Sequence, residues 1–175
     1  MQDVPIQPLS VAELFAERDA RRHHENEVEA HLRRKKQEEL DEFKKRLDTF
    51  VVTEVYAKML IQRIKRAFEQ NETELMFASF PSSFCTDGGR AIANAESPPI
   101  NKPAKEEKAK NAEPEWLGTL PKGAQPIFEY WNTSLRPGGF GFFARIINYP
   151  NGMPGDVGLF ISWPRSSLEA ASSVG

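Results

Sequence analysis

The chain has 175 residues, 39% of them hydrophobic and 27% charged, with a formal net charge of −2. No run approaches the roughly 18–20 apolar residues of a membrane span, and the lone Cys85 excludes an internal disulfide and a multi-cysteine zinc site. A near-neutral balance gives no global pull toward nucleic acid or an anionic membrane.

The opening MQDVPIQPLS has neither a basic n-region nor an apolar h-region, so a cytoplasmic chain without a leader is expected. Residues 1–9 read as a disordered N-terminus. Ser10 followed by Glu13 is a capping-box pattern, with Val11 and Leu14 behind it. Residues 17–48 then carry 20 charged residues in 32 positions, with no Gly and no Pro. Such a stretch predicts a charged helical appendage over 10–48, about 57 Å long if residues 11–48 are helical. Its apolar content is thin: Val28 and Leu32, then Leu40, Phe43 and Leu47.

From Leu40 the spacing turns heptad-like. Leu40, Phe43, Leu47 and Phe50 are followed by Glu54, Ala57, Ile61, Ile64 and Phe68 at steps of three and four. This stripe, 40–68, supports either a dimerising coiled coil or two successive helices that each bury one face. Upstream the register fails at Lys36, Arg33 and Glu29. The β-branched run Thr49-Phe50-Val51-Val52-Thr53 favours a break, with Thr53 as the N-cap of a fresh helix over 54–70.

Residues 49–164 read as an α+β domain. A short strand is expected over 74–80, ended by Pro81, and a short helix over 88–96 capped by Thr86 or Asp87. Residues 97–114 are rich in Pro, Lys, Glu and Ala, as in an exposed polar loop. Phe128, Trp131 and Leu135 then share a face of a helical segment over 121–135, with Pro126 marking a start or kink. Two strands follow, 140–149 and 157–163, around the turn PNGMPGD. Val157, Leu159, Ile161 and Trp163 alternate onto one face, matched by Phe140, Phe142, Ala144 and Ile146. Phe143, Ile147 and Phe160 point to the other face, which is covered by a helix or is a contact surface. Residues 165–175 read as a disordered tail.

The predicted fold class is thus α+β. A long charged N-terminal helix precedes about three helices and a three-stranded antiparallel sheet ending in a β-hairpin. The element order also matches a winged-helix arrangement at a coarse level, which is fold analogy and not function.

The candidates for chemistry are few. Cys85 sits in FCTDGGR, where a Gly-containing turn at a helix start could lower a thiol pKa, with Asp87 as base or cap and Arg90 as an anion contact. A buried small cysteine beside a capping aspartate explains the same letters. Asp156 is a loop carboxylate or a turn residue, and Arg145 is an anion contact or a stem covering apolar surface. His24, Glu27 and His31 approach one helix face, but a solvated charge run accounts for them and no metal is expected. There is no P-loop, GxSxG or HExxH, and no cofactor is expected.

No pattern names a reaction. The expectation is a non-enzymatic protein-interaction or assembly module. It would act on a protein partner or a second copy through stripe 40–68 or the face of Phe143, Ile147 and Phe160. One alternative is a winged-helix-like nucleic-acid binder, disfavoured because the would-be recognition helix has only Lys122 and Arg136 as cations. The other is a small enzyme centred on the Cys85–Arg90 loop.

Overall fold

A computed structural model describes residues 8–96 and 114–167. The expectations for residues 1–7, for 97–113 of the polar loop and for 168–175 of the tail lie outside the described residues. Two compact units divide the chain, one ending at Lys45 and the other beginning at Arg46. Among the described residues no helix is long and apolar enough to cross a membrane.

Helix α1 runs from Val11 to Asp48 and buries none of its residues. At its start Leu14 N–H donates to the Ser10 carbonyl at 3.1 Å, and Glu13 stands in the first turn. Along it, one-turn pairs form between His23 and Glu27 (3.1 Å), between Glu29 and Arg33 (3.4 Å), and from Gln37 to Asp41 (2.9 Å). Exposed pairs of this kind contribute only about 0.2–0.5 kcal/mol each.

The chain leaves α1 at Thr49 and begins α2, Glu54–Glu69, after the expected break. Thr53 is its N-cap: the hydroxyl accepts from Tyr56 N–H at 3.1 Å. The far end closes in a Schellman motif, Asn71 N–H to Phe68 and Glu72 N–H to Ala67, with Asn71 at φ 60°. Leu60, Ile64 and Ala67 are buried. Stripe 40–68 is therefore split, its second half turned partly into its own unit.

The sheet holds β1 (Glu74–Pro81), β2 (Gly141–Ile146) and β3 (Asp156–Ser162) in the antiparallel order β1-β3-β2. Central β3 presents Val157, Leu159 and Ile161 to the core at 0–1% exposure. Strict alternation would put Phe77 and Phe80 of β1 on opposite faces, yet both are buried. A bulge between Met76 and Ala78 resets the alternation and turns both rings inward. Arg63 of α2 reaches the Met76 carbonyl at 3.1 Å and covers part of the β1 edge.

The remaining helices are short. Helix α3 spans Arg90–Glu96, and α4 spans Gln125–Tyr130. The helical path expected over 121–135 is present but not uniform. A 3₁₀ turn precedes α4, and a π turn at Trp131–Leu135 follows it. Phe142 is the hub of the core aromatics, with ring centres 5.5–6.0 Å from Phe77, Trp116, Phe128 and Trp131. Gly123 admits the end of α1: a Cβ there would run into the Leu47 carbonyl.

Candidate functional site

The Cys85–Arg90 loop is built from β1 outward. Pro81 ends the strand, and Ser82, buried at its edge, donates through Oγ to the Pro154 carbonyl (2.9 Å) and through N–H to Gly155 (2.8 Å). These bonds draw the loop against the β2–β3 turn. Thr86 N–H donates to the Thr119 carbonyl at 2.9 Å and ties the loop to the segment Glu115–Thr119. Gly89, at φ +85°, passes between Ser82 and Ile146, where a Cβ would sit 3.1 Å and 3.3 Å from their side chains.

Inside that frame Cys85 is buried. Burial, and after it the nearby Asp87 charge, push its thiol up to about 11. That is the opposite of an activated nucleophile. Asp87 spends both carboxylate oxygens on the backbone, accepting from Gly89 N–H (2.9 Å) and Ala91 N–H (2.8 Å). It is a helix cap, as one of its two sequence interpretations had it. Arg90 is exposed at the start of α3.

Asp156 stands opposite Pro81 in the sheet, beside this loop. Its carboxylate accepts from the Asn148 amide at 3.0 Å, and its N–H donates to Asn148 Oδ1 at 2.9 Å. The turn thus uses Asp156 for its own closure. Arg145 lies elsewhere, on the outer sheet face. Its guanidinium reaches Glu74 through two bonds, 3.0 Å and 3.3 Å, and covers the rings of Phe143 (5.0 Å) and Phe160 (4.9 Å). Those rings stack at 4.9 Å and 5°. The Arg145 stem covers part of this face, with Arg63 and Arg66 of α2 beside Met76 and Phe160, and Met76 and Ile147 stay about 40% exposed.

Cys85, Asp87 and Asp156 therefore share one neighbourhood, while Arg145 belongs to another. In α1, Glu27 pairs with His23, and among the described residues no three His, Cys, Asp or Glu side chains group as a metal site. Tyr56 stacks edge-on with Phe50 at 4.9 Å, and burial raises its phenol pKa, with Arg63 opposing the shift.

Comparison with protein-family models, with curated proteins and with solved structures finds no match.

One feature escaped the sequence. A cleft of about 600 Å³ opens beside α2, walled by Ile64, Phe68, Phe140, Trp163 and Pro164. Trp163 anchors it, with its indole N–H on the Glu72 carbonyl (2.8 Å) and its backbone N–H on Thr73 (3.0 Å). The wall joins residues about 100 positions apart, so no local pattern marks it. Neither Cys85, Asp87, Arg90 nor Asp156 lines it.

Proposed function

We propose that this chain is a non-enzymatic, cytoplasmic protein-interaction or assembly module that engages its partner through α1. The observation that carries the proposal is that a helix of 38 residues buries none of them. A helix polar on most sides draws little stability from its own chain, and contact with another polypeptide supplies what packing does not. Leu14, Val28 and Leu32 are 45–59% exposed along it. The state of the loop groups supports the same reading: a protonated buried thiol, a capping Asp87 and a turn-closing Asp156 leave no poised nucleophile or base.

Lysine-directed cross-linking in cells tests this. Cross-links from Lys35, Lys36, Lys44 or Lys45 to a second polypeptide are expected. They should be lost in a Leu14→Asp, Val28→Asp, Leu32→Asp variant whose α+β unit stays folded. Cross-links confined to the same chain would end the proposal.

A second reading, nucleic-acid binding, rests on the sheet order β1-β3-β2 with α2, α3 and α4 in winged-helix sequence. Exposed Gln125, Glu129, Asn132 and Thr133 leave the α4 segment with few cations for phosphate. A salt-sensitive gel shift of random duplex DNA would favour it, and no shift at low salt would dismiss it.

A further inference from the structure

We infer that the partner of α1 is a second copy of α1, laid antiparallel with its two-fold axis near residues 30–31. This rests on the interaction role proposed for α1 and names its occupant.

The charges of α1 fall into blocks. Arg18, Arg21 and Arg22 are followed by Glu25, Glu27 and Glu29. Arg33 to Lys36 are then followed by acidic residues at 38–42 and basic ones at 44–46. An antiparallel copy in which residue i faces residue 61 − i sets the blocks against their opposites. Arg33–Lys36 meets the Glu25–Glu29 block, and Arg18, Arg21 and Arg22 meet the acidic stretch of Glu39, Asp41 and Glu42, with Asp19 opposite Glu42 as the like-charged exception. Lys44–Arg46 meets the stretch holding Glu17. Two-fold symmetry forms each match twice. This register is two residues from full overlap of the helix ends, so nearly all of α1 takes part. A parallel, in-register pair would instead set every block against its like, which is destabilising.

At about 100° per residue, Val11, Leu14, Val28, Leu32 and Phe43 lie within a sector of about 100°. Arg18, Arg21, Glu25, Glu29, Lys36, Glu39 and Arg46 share that sector, so charge and not an apolar seam sets the register, with Glu25 opposite Lys36 and Glu39 opposite Arg22.

The test uses the purified full chain. Sedimentation across a dilution series from high-micromolar concentration should show a species of twice the 19.8 kDa chain mass. Its dissociation constant should rise at least about tenfold as NaCl goes from about 0.05 to 0.5 M. Arg33, Arg34, Lys35 and Lys36 all changed to Glu should give a monomer. So should Glu25→Lys, Glu27→Lys, Glu29→Lys, and mixing the two variants should restore the dimer.

Orientation is read by spin labels at Asn26→Cys and Ala16→Cys, with buried Cys85 left unlabelled. The antiparallel register predicts a distance near about 20 Å for the first and beyond about 40 Å for the second. Short distances at both sites would overturn it, as would a monomer at every concentration. A monomer that still cross-links in cells to a different polypeptide would defeat the second-copy inference and leave the interaction role standing. A monomer without such cross-links would defeat both.

Discussion

Strand β3 and helix α1 are both regular secondary structure, but they are held in different ways. Val157, Leu159 and Ile161 are 0–1% exposed, and strands pair with β3 on both sides. Helix α1 satisfies its backbone within itself and places no side chain in a core. The first element is fixed by long-range contacts within the chain. The second is fixed by propensity and one-turn pairs, and has surface left to give to another polypeptide.

The largest effect that would sharpen this contrast comes from the core. Leu159→Ala should cost the α+β unit about 2–5 kcal/mol in denaturant melts followed by tryptophan fluorescence, whereas Leu32→Ala should change the same transition by less than about 0.5 kcal/mol. Equal losses would break the contrast. Gly123→Ala drives a methyl into the Leu47 carbonyl and should cost about 1–3 kcal/mol. Thr53→Ala removes the hydroxyl that caps α2, and a loss of about 1 kcal/mol is expected, while Thr53→Ser should retain most of it.

A further effect is confined to alkaline solution. The folded state holds the Cys85 thiol protonated up to about 11, against an ordinary value of 9.0. The folded state thus binds the proton more tightly than the unfolded chain does. Its contribution is complete below pH 9 and is lost as pH rises through 9–11. The difference in stability between wild type and Cys85→Ala should follow that window. Smallest of all, Glu74→Gln should weaken the half-exposed bond to Arg145 by at most about 1 kcal/mol, and salt should erase part of that.

Much of the local structure was legible. The β-branched run at 49–53 lowers helix propensity, and the helix ends there. Thr53 and Asp87 are small polar residues ahead of helical stretches, and both cap. Alternation in β3 gave the core-facing Val157, Leu159 and Ile161, but not the burial of Phe160 on the other face. Features made by distant pairing were not legible. The bulge that turns both Phe77 and Phe80 inward depends on how β1 meets β3, not on β1 alone. The Arg145–Glu74 bond crosses the sheet between residues 71 apart, and the Trp163 cleft joins α2 to the end of β3. The candidate loop was legible in its residues but not in their use. Whether Asp87 is a base or a cap turns on the direction of the backbone around it.

The most direct measurement of the central claim is hydrogen exchange along the whole chain over a dilution series. The account predicts that β3 amides stay protected to the same degree at every concentration, while amides of residues 11–45 lose protection as the chain is diluted. Protection of residues 11–45 that equals that of β3 and does not change with dilution would contradict it.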